Sequence, residues 1–183
     1  MTRAEPSPAR TATGVHCTVV TGADIAEHHR IRHAVFVTEQ GVFADSDVDA
    51  HDARPDVVHV LATLGGQAVG TVRLYPVDDA GLWRGDRLAV LPGRRTAGAG
   101  APLVRFAVAT AAARGGTRMV AHVQPPNRRF FEHLGWTAGG VETYAGFPHV
   151  AMTIGLRHPG GEVSAGGDIS AAPGGAGAAG PAG

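Results

Sequence analysis

The 183-residue sequence contains no lysine; all sixteen basic residues are arginine. That absence excludes a P-loop lysine, a Schiff base and a pyridoxal-phosphate site. A single cysteine, Cys17, excludes an internal disulfide and any cysteine-based zinc site, and fits a reducing cytoplasm. Sixteen acidic residues balance the arginines, so no overall field points to nucleic acid or an anionic membrane as partner. No stretch approaches the roughly 18 apolar residues of a membrane span. The first fourteen residues also lack the apolar run of a secretory peptide.

What is present divides the chain into three. Residues 1–14 are rich in Pro, Ala, Thr and Ser, carry no apolar period and read as a disordered leader. Between Pro159 and Gly183, 19 of 25 residues are Gly, Ala or Pro. Such a segment cannot bury enough apolar surface to offset the entropy of ordering, and is expected to be disordered. The folded unit is expected over residues 15–158, one domain with one sizeable core.

Within that unit strand and helix patterns alternate. Residues 16–20 read as a strand, and Thr21 with Asp24 reads as the cap of a helix running to about Val35 or Phe36. β-rich runs over 57–64 and 67–75 flank Gly65 and Gly66, a two-residue hairpin signal. A turn at 78–81 leads into a strand over 82–90. Over 102–114, Leu103, Val104, Ala107, Val108 and Ala111 recur at helical spacing. A short strand (119–123), a short helix (127–134) and closing strands near 141–144 and 150–156 complete the order β-α-β-β-β-α-β-α-β-β. This order predicts an α+β fold with a mixed, mainly antiparallel central sheet flanked by helices.

Residues 88–103 carry the strongest chemical signal. A strand ends, a turn rich in Arg and Gly follows, and a helix begins. Gly98 and Gly100 let main-chain N–H groups converge on one point, and the helix N-terminus adds partial positive charge, an arrangement suited to a pyrophosphate. A Rossmann turn would need glycine at Leu103, and a P-loop would need the lysine the chain lacks. Arg95-Thr96-Ala97-Gly98-Ala99-Gly100 instead matches Arg/Gln-x-x-Gly-x-Gly/Ala, and so resembles the acetyl-CoA turn of the GNAT acyltransferases. Pro102 is tolerated there, because an N–H in the first turn of a helix has no intrahelical partner.

Further stretches extend the resemblance over nearly all of residues 16–156. Asn127, Phe130, Phe131 and the run Leu134-Gly135-Trp136 are similar to the second GNAT signature. Residues 32–43, residues 83–90 and the ending Tyr144-Ala145-Gly146-Phe147-Pro148-His149 resemble a bacterial subgroup linked to nitrogen-starvation gene clusters. The resemblance implies a GNAT fold whose splayed central strands hold acyl-CoA. It also implies a cytoplasmic enzyme that moves an acetyl group from acetyl-CoA to a small amine in a ternary complex. A homodimer is a common assembly in the family.

By the same resemblance, the main chain at Leu88, Ala89 and Val90 pairs with the pantetheine amides and supplies an oxyanion donor. Arg95, Thr96, Ala97, Gly98, Ala99, Gly100 and Ala101 hold the pyrophosphate, while Asn127, Phe130 and Phe131 lie beside the pantetheine arm. Tyr144 is the candidate acid for the departing thiolate. Glu39 and Asp86 are alternative bases, acting directly or through water. Each of these three has a packing or structural reading beside the catalytic one.

Asp45, Asp47 and Asp49 begin like a calcium loop, but Ala50 replaces the glycine expected sixth and Asp56 the glutamate expected twelfth. With Asp52, the cluster reads as a solvated acidic loop or as a rim attracting a cationic amine. His28, His29 and His33 stand near helical spacing with His51 beyond, which would allow zinc; surface or capping roles are the simpler expectation, and no metal is expected. His149 either lines the acceptor pocket or closes a turn. Two other functions suit the same fold, an acyl-homoserine-lactone-type synthase and a non-catalytic module that senses or binds acyl-CoA. No nucleic-acid or membrane partner is expected.

Overall fold

The computed structural model describes residues 14–157. The expected tail, His158 and all but the last residue of the expected leader lie outside the described residues. Seven strands are present: β1 (Val15–Val20), β2 (Val58–Leu64), β3 (Gln67–Pro76), β4 (Leu82–Val90), β5 (Arg118–Val123), β6 (Thr137–Tyr144) and β7 (Phe147–Gly155). They form one sheet in the order β1-β2-β3-β4-β5-β7-β6. Every neighbouring pair is antiparallel except β4 and β5. A parallel pair needs a crossover, and α2 (Gly100–Ala113) supplies it. With α1 (Ile25–Arg32) and α3 (Arg128–His133), the element order and the α+β class are those the periodicity predicts.

β2 shows how the sheet becomes covered on both faces. Val58, Val60 and Ala62 join the larger core with Leu103, Ala107 and Ala111 of α2, whereas Leu61 joins Ile31 and Val35 in a second core. Alternate side chains of a strand point to opposite faces, so a strand buried on both reads as a nearly continuous apolar run. α2 begins two residues before its apolar period, since Gly100 and Ala101 carry no period of their own.

The first helix departs from expectation. Thr21 makes no side-chain capping bond, and a 3-10 turn (Gly22–Asp24) precedes α1. After α1 the chain widens into a π-helix, His33–Glu39, in which the N–H of Gln40 donates to the carbonyl of Val35 at 2.9 Å. Such wide turns occur frequently at functional sites. A true capping box forms instead at Asp49: its side chain accepts from the His51 N–H, and Asp52 accepts from the Asp49 N–H. Both boxes have acceptors at the right spacing; the second is selected because its carboxylates are also gripped by buried arginines.

Candidate active site

β4 and β5 pair only at their starts, Leu82 with Arg118, Trp83 with Met119 and Arg84 with Val120. Beyond Arg84 they part, and a cleft of about 1020 Å³, counting its open mouth, fills the gap. Gly85 sits at the parting point, where a Cβ would lie 2.7 Å from the terminal methyl of Met119 and would oblige that side chain to shift. Phe36, Gln40 and Phe43 wall the cleft from the π-helix and the segment after it. Leu88 walls it from β4, Ala121 and His122 from β5, and Tyr144 and His149 from the β6–β7 hairpin.

A β-bulge shapes the β4 wall. Thr71 pairs with Ala89 and Arg73 with Asp86, so Arg87 and Leu88 together oppose Val72, and Arg87 takes a φ of 52°. Bulges re-aim side chains beside active sites. Here the buried Arg87 guanidinium donates to the Asp47 carbonyl at 3.0 and 3.2 Å, to Asp49 Oδ2 at 2.9 Å and to Tyr144 Oη at 3.2 Å.

The acidic cluster is not a solvated loop. Arg32, fully buried, donates to Asp47 Oδ2 and Asp52 Oδ1, each at 2.6 Å. Arg73, also fully buried, is held between Asp49, Asp52 and Asp86. Charges leave water only when paired, and three arginines facing four aspartates leave a single net negative charge. Burial alone would raise the Asp52 carboxyl, but the Arg32 hydrogen bond, the Asp49 N–H and the Arg73 charge hold it well below the usual carboxylate range. The amine-attracting rim expected from the sequence is therefore largely neutralised from within, and among Asp45, Asp47, Asp49 and Asp52 only Asp45 is exposed.

At the hairpin end three rings meet: Tyr144 lies 4.8 Å from His122 and 5.4 Å from His149, centroid to centroid. Arginine only donates, so Tyr144 Oη accepts from Arg87 and its own proton stays available. The carbonyl of Phe147 only accepts, so His149 Nδ1 carries the proton in its 3.0 Å bond and Nε2 keeps its lone pair. In His122 the same reasoning gives the opposite tautomer: Nδ1 accepts from Arg84 at 2.9 Å, and Nε2–H donates to Glu142 at 3.0 Å.

Of the residues predicted from the sequence, Asp86, Leu88, Asn127, Phe131 and Tyr144 line the cleft. The side chains of Ala89 and Val90 pack into the two cores. Arg95, Thr96 and Ala97 lie exposed on a 3-10 turn (Pro92–Ala97) ended by Gly98 at φ 74°, while Ala99 is buried. The Gly98 N–H is already spent on the Arg95 carbonyl at 3.1 Å. The N–H groups of Gly100 and Ala101 open α2 and have no intrahelical partner. A Cβ on Gly100 would come within 3.3 Å of the Phe130 ring.

Neither predicted base stands free. Glu39 is not among the cleft walls, and its two oxygens accept from Arg95 at 2.7 and 2.6 Å. Both oxygens of Asp86 accept from Arg73, at 2.8 and 2.7 Å. His33 is exposed and His51 stacks on Tyr75 at 4.4 Å, so the histidine set suggested by spacing does not assemble. Arg84, Arg87, His122 and Gln124 were not singled out from sequence; for the first three, a charged or polar residue inside a strand was the available signal, whereas Gln124 follows β5.

The cleft fits an acyl-CoA. The edge of β4 facing β5 is unpaired beyond Arg84, Gly100 leaves room at the start of α2, and the buried Trp136 Nε1–H on the cleft wall lacks a partner. The model of the acetyltransferase (GNAT) family matches residues 26–136. A Bacillus subtilis protein named as a candidate acetyltransferase is 31% identical over 137 residues, covering 74% of this chain and 92% of that protein. The crystal structure of a candidate N-acetyltransferase from Lactobacillus plantarum superposes with a TM-score of 0.70 at 28% identity, over 79% of this chain and 99% of that one. An aminoglycoside 6'-N-acetyltransferase complexed with coenzyme A shares the fold, with a TM-score of 0.66 at 18% identity over 78% of this chain and 97% of that one. A family match across more than half of the chain, on a sheet parted at this pair of strands, makes the protein a member of the GNAT family and an acyl-CoA-dependent N-acetyltransferase.

Proposed function

We propose that the protein transfers an acetyl group from acetyl-CoA directly to a small amine, in a ternary complex built in the cleft between β4 and β5. The parting of these strands beyond Arg84, with Tyr144 and His149 at one end of the gap, carries this reading. Acetyl-CoA, when bound, supplies the thioester. The unpaired edge of β4 at Leu88, Ala89 and Val90 supports pairing with pantetheine amides and one oxyanion donor, worth roughly 3–4 kcal/mol in enzymes where such a donor has been removed. The free N–H groups of Gly100 and Ala101, the α2 dipole and the neighbouring Arg95 favour a pyrophosphate. Thr96, Ala97, Gly98 and Ala99 shape that turn, and Asn127, Phe130 and Phe131 flank the arm.

Tyr144 is the proton donor to the departing sulfur, since its oxygen accepts from Arg87 while its hydrogen remains free. His149 takes the amine proton at Nε2, a role that passes to it from Glu39 and Asp86 because their oxygens are held by Arg95 and Arg73. The internally neutralised aspartates and the mixed Phe36, Phe43, Tyr144 and His149 wall favour a small acceptor over a basic polymer. The motif from Tyr144 to His149, which spans the β6–β7 turn, also supports the nitrogen-starvation subgroup.

Calorimetric titration of acetyl-CoA into wild type and Gly100→Asp, followed by thiol release with a panel of amines, tests the proposal. Binding in wild type, lost in a variant that melts normally, is the expected result. A wild-type chain that ignores acetyl-CoA, coenzyme A and longer acyl-CoAs would sink it. Binding without turnover of any amine would favour a sensing module.

A further inference from the structure

The cleft does not use the three histidines that meet on the other side of Val72. His28 and His29 lie on α1, and His59 lies on β2 on the same face as Leu61. One nitrogen from each lies within 4.8 Å of the other two. His28 and His59 are 0% and 3% exposed, whereas the His29 side chain is 31% exposed. Among the described residues, six buried side-chain polar atoms lack a hydrogen-bond partner, and four of them are His28 Nδ1, His29 Nε2 and both nitrogens of His59. Buried polar atoms are paired almost without exception, so four orphans in one cluster point to an absent partner. Ring packing does not supply one: His28 and His59 meet edge to face at 4.7 Å, which leaves their nitrogens unsatisfied.

We propose that His28, His29 and His59, with Asp52 beside them, bind one divalent transition-metal ion, zinc by preference. Three neutral imidazoles with a carboxylate form a set that suits zinc and its neighbours rather than calcium or magnesium. Asp52 Oδ1, which keeps its 2.6 Å hydrogen bond from Arg32 and has a second lone pair to offer, lies 3.6 Å from His29 Nε2 and 3.9 Å from His59 Nδ1. Ligands about 2.0–2.1 Å from a tetrahedral ion stand about 3.4 Å apart, so the carboxylate is nearly in place and the imidazoles close by about an ångström. His28 is already oriented as a ligand would be, with Nε2 donating to the Val72 carbonyl at 3.3 Å and Nδ1 left for the ion. The partly exposed His29 gives the ion a way in. Bound metal would staple α1 to β2 and to the turn holding Asp52, behind the acceptor wall of the cleft, and none of the three histidines lines the cleft itself.

The test uses the full chain, stripped with a chelator and then titrated with zinc or cobalt(II). Uptake of one ion per chain, a tetrahedral cobalt absorption spectrum and a melting temperature that rises with free metal are expected. His29→Ala, the variant least able to disturb the core, is expected to weaken binding at least about tenfold. His33→Ala, on the exposed side, is expected to leave it unchanged. The proposal is overturned if the stripped wild-type chain takes up no stoichiometric ion, or if His29→Ala and His59→Gln both bind as wild type does, which would place the ion on other histidines. Acetyl-CoA binding is measured on the same samples; its failure would bear on the acetyltransferase mechanism and leave the metal result standing.

Discussion

Arg87 concentrates the residue-scale logic of the protein. A non-glycine residue at positive φ costs on the order of 1–3 kcal/mol, and this one is retained because its guanidinium joins Asp47, Asp49 and Tyr144. The bulge thereby fixes the phenol that faces the cleft. If Tyr144 donates the proton, Tyr144→Phe will lower kcat by about 100-fold while the Kd for acetyl-CoA changes little, measured by steady-state kinetics and calorimetry. An equal loss of both would instead mean that the ring only packs. If His149 Nε2 is the base, His149→Asn will lower kcat by about 100-fold with little change in the Kd for acetyl-CoA, and an unchanged kcat would remove the histidine from the chemistry.

At the scale of elements, the acidic segment from Asp47 to Asp52 is pinned by arginines from α1, β3 and β4 rather than by a core of its own. Arg32, fully buried, ties α1 to Asp47 and Asp52. Arg32→Met would leave two buried carboxylates short of a partner and is expected to cost about 3–5 kcal/mol in urea unfolding. The Glu39–Arg95 pair has comparable geometry, but its side chains are 31% and 45% exposed. Solvent screening limits Glu39→Ala to under about 1 kcal/mol, and a larger loss would show that the π-helix depends on that tether. Leu103, at 0% exposure on α2, stands between these cases, with Leu103→Ala expected to cost about 2–5 kcal/mol.

For the molecule as a whole, the arginine–aspartate network predicts acid sensitivity. Burial raises the Asp49 carboxyl, yet the hydrogen bonds and charge of Arg73, the charge of Arg87 and the His51 N–H outweigh it, and the net direction is down from the ordinary 3.8. A depressed carboxyl contributes fully above its unfolded value and is lost as pH falls through its folded value. The urea midpoint is therefore expected to hold above about pH 4 and to drop as pH falls below it, and Asp49→Asn is expected to shrink that drop. The element order, α2 and the glycine turn were legible in the sequence, because periodicity and backbone freedom are local properties. Thr21 shows the limit: its capping spacing was right, but the working box formed at Asp49, where buried arginines hold the carboxylates. By itself the sequence determined the α+β class and the strand–turn–helix around Gly98 and Gly100, and its motifs carried the family resemblance. Only the tertiary structure decided that Glu39 and Asp86 are held by arginines, that Asp47, Asp49 and Asp52 are gripped by buried arginines, and that His59 rather than His33 completes a histidine triad. The physical reason is that charge pairing and burial join residues far apart in the chain, such as Arg87 and Tyr144, which no local pattern brings together.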